Sequence, residues 1–147
     1  MSDLIIRKAE ERDLPAIEIL EKQCFSVPWS MESLRHDILE NEISFYIVAE
    51  MDGNVCGYVG IWNIMDEGHI TNVAVSPRFR RRHIGEALLD VLISTCEEAG
   101  IEGFTLEVRA GNEAARRLYE KKGFREAGVR PKYYEDNGED AVIMWRE

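Results

Sequence analysis

The sequence predicts an α/β fold in which a mixed sheet of about seven strands is flanked by four helices. Apolar residues recur at every second position in some segments and at every third or fourth in others, and turn residues separate the segments. The segments follow one another as strand, two helices, three antiparallel strands, then helix, strand, helix and two strands. No linker or repeat interrupts the 147 residues, so a single domain over residues 1–147 is expected.

The first half of the chain begins with a short strand at residues 4–7 and continues into two helices. Asp13 is a candidate cap for the first helix, and Ser30 is a candidate cap for the second, after a break at Pro28-Trp29. Both helices are expected to bury an apolar stripe of helical period. The stripe residues are Leu14, Ile17, Leu20 and Cys24 in the first helix and Leu34, Ile38 and Leu39 in the second.

Three antiparallel strands follow, because two hairpin turns separate three β-rich segments. The turns are Asp52-Gly53-Asn54 and Glu67-Gly68, both rich in residues that tolerate a positive φ. The predicted strands are residues 43–49, 55–64 and 69–75.

The second half predicts two further helices, each followed by a strand, and then a final strand. Gly100 ends the first of these helices, and Asn112 caps the second, which runs to about Lys122. A turn at Asp136-Asn137-Gly138 precedes the last strand. The predicted strands are residues 104–109, a segment opening at Gly123-Phe124, and residues 141–145; the expected buried face of the first helix is Ile84, Leu88, Val91, Leu92 and Thr95.

Composition excludes several functional classes. The formal net charge of −10 disfavours a general nucleic-acid binder, which would carry a broad basic face. No segment is long and apolar enough to span a membrane, and the N-terminus lacks the pattern of a signal peptide. The three cysteines and three histidines have no spacing typical of a disulfide framework or a metal site. We therefore expect a cytoplasmic protein that needs no metal and has neither a membrane nor a nucleic acid as its partner.

Residues 73–89 predict an anion site. An apolar strand runs into a basic, glycine-containing turn and then directly into an amphipathic helix, whose first N–H groups and positive dipole end attract an anion. Arg80, Arg81 and Arg82 add mobile positive charge for phosphate oxygens. A basic helix start without any ligand is the alternative.

This stretch resembles the acetyl-CoA-binding signature of the GNAT superfamily of N-acetyltransferases, Q/R-x-x-G-x-G/A. Arg80 takes the first place, Gly85 the last, and His83 stands where glycine is usual. Histidine is tolerated at this place if the His83 backbone keeps ordinary helical angles, since only a positive φ demands glycine. The resemblance implies that acetyl-CoA is bound by the strand Val73, Ala74 and Val75, whose N–H groups polarise the thioester carbonyl, and by the turn residues Arg80, Arg81, Arg82, His83, Ile84, Gly85 and Glu86.

Glu107 is the candidate general base. Alternation in the strand at residues 104–109 directs Phe104, Leu106 and Val108 to one face and Glu107 to the other. A carboxylate inside a sheet is costly unless it is paired or lines a wet cleft. Pairing with Arg109 on the same face is the structural alternative.

Residues 111–124 closely resemble the second motif of the same family, N-x-x-A-x-x-x-Y-x-x-x-G-F. Asn112 caps the helix, and the resemblance implies that it also touches the pantetheine arm of the cofactor. Tyr119 takes the tyrosine position and is the candidate general acid. Without the motif, Tyr119 on the face of Ala115 and Leu118 would be interpreted as a core aromatic.

Three further stretches, residues 24–30, 106–112 and 130–141, resemble the RimI-type branch of the family, which acetylates the N-terminal alanine of a small-subunit ribosomal protein. In that branch the matching glutamate is the base and the matching tyrosine the acid, here Glu107 and Tyr119. Trp29, Tyr133 and Tyr134 would wall the peptide groove, although each could also simply pack between helix and sheet. The cysteines have no neighbouring histidine in sequence, so direct transfer is favoured over a covalent route.

The resulting hypothesis is an acetyl-CoA-dependent N-α-acetyltransferase whose partner is the N-terminal peptide of a ribosomal protein. An acetyltransferase acting on other N-termini, lysine side chains or a small amine is the first alternative, because acceptor specificity lies in loops. A non-catalytic acyl-CoA-binding module is the second.

Overall fold

One sheet runs through the computed structural model, which describes residues 3–79 and 83–147. The strands are β1 (Leu4–Lys8), β2 (Ser44–Met51), β3 (Asn54–Ile64), β4 (Glu67–Val75), β5 (Gly103–Arg109), β6 (Arg125–Arg130) and β7 (Ala141–Arg146). The helices are α1 (Leu14–Cys24), α2 (Met31–Arg35, widening into a π turn over His36–Glu40), α3 (Ile84–Glu98) and α4 (Glu113–Lys121). The predicted mixed sheet of seven strands with four helices is confirmed for these residues.

The sheet has the order β1-β2-β3-β4-β5-β7-β6, and β4–β5 is its parallel pair. Parallel neighbours need a crossover, and α3 supplies it. The β4–β5 ladder covers only three residue pairs, from Glu67–Gly103 to His69–Thr105. Beyond His69 the two strands separate, and this separation opens the cleft described below.

A β-bulge bends β4 where it leaves β5. The register with β3 shifts between Val59–Val73 and Ile61–Ile70, so two residues of β4 oppose Gly60 alone. The faces on which two side chains pack confirm this register shift. Ile70 packs in the core on the α3 face, whereas Ala74 packs on the α1 face, although residues four apart in a regular strand share a face. Gly60 has to be small, because a Cβ there would lie 2.3 Å from the Tyr46 ring.

Two apolar cores cover the two faces of the sheet. Strand alternation divides β2, with Ile47 and Ala49 against α3 and α4 and with Tyr46 and Val48 against α1 and α2. The predicted buried face of α3 is only partly correct, since Val91 and Thr95 are exposed. The buried face of the helix is rotated relative to the prediction. It contains Ile84, Leu88 and Leu92 as predicted, together with Leu89, Ile93 and Cys96.

Two further predictions for the helices are corrected. Asp13 stands before α1 without capping it: its carboxylate accepts the Glu10 N–H at 2.8 Å and both Arg7 Nη atoms at 2.8 Å. Leu39 is exposed because the chain widens into the π turn. Ser30 does cap α2, accepting the Ser33 N–H at 3.1 Å. Among residues 3–79 and 83–147, the helices are too short or too polar to cross a bilayer.

Candidate active site

A cleft of about 710 Å³ lies where β4 and β5 separate. Residues predicted from distant parts of the sequence meet along its lining. They are Trp29, Val73, Glu107, Asn112, Tyr119, Tyr133 and Tyr134. Arg80, Arg81 and Arg82, predicted for the phosphate site, lie outside the described residues.

The cleft side of β4 presents backbone groups. The Ser76 N–H donates to the Cys56 carbonyl at 2.7 Å, so by alternation Ala74 also bonds towards β3 while Val73 and Val75 face the other way. On that side β4 no longer pairs with β5, whose ladder ends at His69–Thr105. Of the three predicted strand residues, Val73 and Val75 thus have N–H groups directed to the cleft, whereas that of Ala74 belongs to the β3 ladder.

The start of α3 differs from the prediction at one residue. His83 adopts left-handed angles, φ 58° and ψ 26°, so the condition of ordinary helical angles is not met. This explains why glycine is usual here, because a side chain in that conformation costs about 1 kcal/mol. Ile84 begins α3 without a side-chain cap, which leaves its first N–H groups available to an anion.

Gly85 and Glu86 follow in the first turn of α3. A Cβ at Gly85 would lie 3.7 Å from Leu118 and from Val75, which is ordinary contact. The Glu86 carboxylate turns towards α4, with Lys122 Nζ at 2.8 Å, and the two lysines there lower the pKa of Glu86 to about 2. Its charge is therefore compensated beside the anion site.

Glu107 is a half-paired carboxylate in the cleft. Its Oε1 lies 3.8 Å from Arg130 Nη2 and 4.0 Å from His69 Nε2, whereas its Oε2 is buried without a hydrogen-bond partner among the described residues. The alternative partner, Arg109, is engaged instead with Asp136 and belongs to another network. Oε2 of Glu107 thus has hydrogen-bonding capacity that no described residue uses, although this oxygen is itself buried.

Tyr119 is buried, with its ring edge against Phe124 at a centroid distance of 5.9 Å. Its hydroxyl makes no hydrogen bond with any described residue. Burial, with a smaller contribution from Tyr134, raises the pKa of Tyr119 to about 12, so the phenol stays protonated at neutral pH. Asn112 caps α4 beside it by accepting the Ala115 N–H at 3.2 Å.

Aromatic rings wall the outer part of the cleft. Trp29 comes from the segment between α1 and α2, and Tyr133 and Tyr134 come from the loop between β6 and β7, with their ring centroids 5.1 Å apart. Burial, then the negative charge of Glu107 and a side-chain hydrogen bond to Glu107, raise the pKa of Tyr133. The tyrosine pair therefore lies beside the candidate base.

Glu21 is a cleft residue that the sequence analysis missed. It is 1% exposed, accepts the Asn72 amide at 2.7 Å, the Tyr58 hydroxyl and the Trp29 N–H at 3.3 Å, and burial raises its pKa. A signal existed in the sequence, because Glu21 stands four residues after Ile17 on the apolar stripe of α1.

The cysteines do not form a nucleophilic site among the described residues. Cys96 is buried in the core, and burial raises the pKa of its thiol to about 11. Cys24 lines the cleft, but its Sγ lies 3.3 Å from the Val75 carbonyl oxygen. Nor do three His, Cys, Asp or Glu side chains of the described chain gather as metal ligands.

Comparison with known proteins agrees with this geometry. The chain matches the acetyltransferase (GNAT) family over residues 14–124 and belongs to that family. It is an N-acetyltransferase of a family that uses acetyl-CoA.

Its relatives narrow the class further. A Bacillus subtilis protein is 41% identical to this chain over 95% of it and 93% of the relative. The [ribosomal protein bS18]-alanine N-acetyltransferase of Escherichia coli (strain K12) is 37% identical, covering 95% of this chain and 94% of the relative. The crystal structure of the ribosomal-protein-S18-alanine N-acetyltransferase from Escherichia coli superposes with a TM-score of 0.91 at 35% identity, covering 98% of this chain and 93% of that one.

Proposed function

We propose that this chain, acting as one N-acetyltransferase domain in the cytoplasm, acetylates the N-terminal alanine of a small-subunit ribosomal protein by direct transfer from acetyl-CoA. One observation carries the proposal: Glu107 and Tyr119 line the same cleft, and neither Oε2 of Glu107 nor the hydroxyl of Tyr119 has a hydrogen-bond partner among the described residues. The names of the relatives support the choice of acceptor.

The first step is removal of a proton from the acceptor amine. A peptide α-amine has a pKa of about 8, so deprotonation at pH 7 costs on the order of 1.4 kcal/mol. The carboxylate of Glu107, which lines the cleft, accepts this proton directly or through a water molecule. The neutral amine then attacks the acetyl carbonyl.

The second requirement is stabilisation of charge on the acetyl group and on the departing sulfur. The cleft-facing N–H groups of Val73 and Val75 suit the polarised thioester carbonyl oxygen. Tyr119 is the hydroxyl that donates to the sulfur, since it stays protonated and has no competing partner in the described chain. The protonated acceptor gives up two protons, one to Glu107 before the attack and one from the nitrogen after it. Tyr119 gives one proton to the sulfur and regains one, so the net products are the acetylated amine, the free thiol and one proton released to water.

Acetyl-CoA is held at the start of α3. The uncapped N–H groups from Ile84 to Glu86, together with Arg80, Arg81 and Arg82 before them, bind the pyrophosphate, and Asn112 lies on the path of the pantetheine arm. Gly85 itself adds no side chain over the N–H groups there.

The acceptor enters between Trp29 and the Tyr133–Tyr134 pair. Glu135 also lines this end, and the whole chain carries a net charge of −10, which favours a basic peptide. Acetylation of other N-termini, of lysine side chains or of a small amine would use the same machinery.

Glu107→Gln tests the base. The change preserves shape but removes the proton acceptor, so kcat/KM is expected to fall about 10²–10⁴-fold at neutral pH. The deficit should shrink as pH rises, because more of the amine is already neutral. Glu98→Gln, on the exposed end of α3, is the matched control and should leave the rate unchanged. A Glu107→Gln enzyme with the wild-type rate would show that Glu107 is only an ion-pair partner.

Two peptides test the acceptor. One is a basic peptide that begins with alanine, and the other has the same sequence with a blocked N-terminus and one free lysine. The first is expected to react at least 100-fold faster, because the cleft between the aromatic walls has to orient a main-chain amine. Equal rates on the two peptides would be consistent with an acetyltransferase but would contradict a preference for N-termini.

A further inference from the structure

We propose that Arg109 is a positioning residue that holds Tyr134 and the β6–β7 loop over the acceptor end of the cleft. The proposal rests on the proposed function in one respect, that Tyr134 walls the acceptor groove. Arg109 has no role in the acid–base chemistry, because its guanidinium is directed away from Glu107 into the loop.

The guanidinium makes two kinds of contact at once. Its plane covers Tyr134, with the central carbon 3.9 Å from the ring centroid. Its edge meets Asp136 in a bidentate pair, with Nη1–Oδ1 and Nη2–Oδ2 both at 3.0 Å, while Nη1 lies 3.4 Å from Glu139 Oε1. The planar guanidinium of arginine can stack on a ring and form a bidentate pair with a carboxylate at the same time, whereas the ammonium of lysine cannot.

The carboxylates that Arg109 holds connect the β6–β7 loop to two other segments of the chain. Asp136 accepts the hydroxyl of Ser26, which lies in the segment between α1 and α2. Glu139 Oε2 accepts the N–H of Gly111 at 2.7 Å, at the turn before α4. One side chain on β5 therefore joins the loop of the tyrosine pair to the Trp29 side of the groove and to the start of α4.

The position of Arg109 in the strand aligns this brace with the base. Arg109 is two residues beyond Glu107 on the same face of β5, which separates the two Cα atoms by about 7 Å. Tyr134 and Tyr133 thus stand at a fixed height above Glu107, and an acceptor amine held between this pair and Trp29 is presented to the Glu107 carboxylate. Loss of the brace should loosen acceptor binding and leave acetyl-CoA binding intact, because the α3 end of the cleft is built from other residues.

Arg109→Gln and Arg109→Lys are the test variants. We expect the KM for the alanine-initiated peptide to rise about tenfold in Arg109→Gln, and the KM for acetyl-CoA to stay within twofold. Arg109→Lys should recover little of the loss, since it retains the charge but neither stacks nor forks. Arg125→Gln, which removes an exposed arginine from β6, is the control for net charge and should change neither constant. An unchanged peptide KM in Arg109→Gln, or an equal rise in the KM for acetyl-CoA, would overturn the proposal.

A double-mutant cycle with Tyr134→Leu asks whether Arg109 acts through the ring. In the Tyr134→Leu background, Arg109→Gln should add less than threefold to the peptide KM, because the contact is already lost. Fully multiplicative effects would contradict the proposal.

Amide hydrogen exchange separates this proposal from the proposed function. Exchange in residues 131–140, measured without any substrate, should speed up at least fivefold in Arg109→Gln and not in Arg125→Gln. Unchanged exchange there would overturn the brace, whatever amine the enzyme acetylates. Failure of the wild-type enzyme to acetylate the peptide would instead remove the proposed acceptor, and the exchange result would still decide the role of Arg109.

Discussion

Tyr119→Phe separates packing from chemistry more cleanly than any other change in this cleft. The substitution removes one hydroxyl and keeps the ring, which is buried against Phe124. Because the hydroxyl has no hydrogen-bond partner among the described residues, its removal breaks no hydrogen bond within that part of the chain. The ring contacts survive, so the free energy of unfolding should change by less than about 1 kcal/mol.

The effect on the rate should be large. A thiol like that of the leaving group has an ordinary pKa of about 8.5 and a phenol of about 10, a gap of ~2 kcal/mol for proton transfer. Burial raises the pKa of Tyr119 to about 12, but the same desolvation opposes a naked thiolate in the same cleft, so the gap is not widened by the full amount. Without the hydroxyl, the sulfur departs with no donor. We expect kcat to fall about 10²–10³-fold while the affinity for acetyl-CoA stays near the wild-type value.

The assay follows release of free thiol with a thiol-reactive chromophore, alongside calorimetry of acetyl-CoA and urea unfolding. Tyr46→Phe is the matched control, because the Tyr46 hydroxyl donates to the buried Asp37 and lies in the other core. That variant should lose stability and keep kcat, the reverse of Tyr119→Phe. A Tyr119→Phe enzyme with kcat within threefold of wild type would refute the acid role and return Tyr119 to the core.

Two further variants test the ends of the cleft. Gly85→Asp should lower acetyl-CoA affinity at least tenfold in calorimetry with the fold retained, whereas Gly85→Ala, whose Cβ would meet Leu118 and Val75 at 3.7 Å, should lose much less; equal affinities would put the phosphate site elsewhere. Glu21 has a raised pKa, so its stabilising contribution is complete below the unfolded value near 4.5 and is lost as pH rises through the folded value. The unfolding free energy of Glu21→Gln relative to wild type should therefore increase as pH rises above the unfolded value, and a pH-independent difference would show that the pKa of Glu21 is not raised in the folded protein.

The order of strands and helices and the main cleft residues could be predicted because they depend on local periodicity and on motifs. Glu107 stood out as a carboxylate on the inner face of a strand, and Asn112 as a helix cap; both occupy the cleft. The partners of Glu107 could not be predicted, since Arg130 and His69 lie on other strands. Arg109, adjacent in pattern, was the wrong candidate because side-chain direction at a strand end depends on the loop that covers it.

His83 shows a different limit of the sequence. Histidine can adopt left-handed angles at a small energetic cost, so the residue type alone does not predict the positive φ of His83. The indication in the sequence was that the family usually has glycine at this place. Glu21 was overlooked for the opposite reason. Its place on an apolar stripe was visible, but the Tyr58 and Asn72 groups that satisfy it come from β3 and β4.

The cleft itself depends on a feature that alternation cannot reveal, the bulge in β4. A regular strand would direct Ile70 and Ala74 to the same face, and it would continue to pair with β5 past His69. The extra residue of β4 opposite Gly60 reverses which side chains face each core, and it bends β4 away from β5. The N–H groups of Val73 and Val75 therefore lack a strand partner. Those N–H groups can donate hydrogen bonds to the thioester carbonyl and to the amides of the pantetheine arm. The Tyr46 ring that occupies the space at Gly60 is therefore part of the active-site architecture, although it lies on the far face of the sheet.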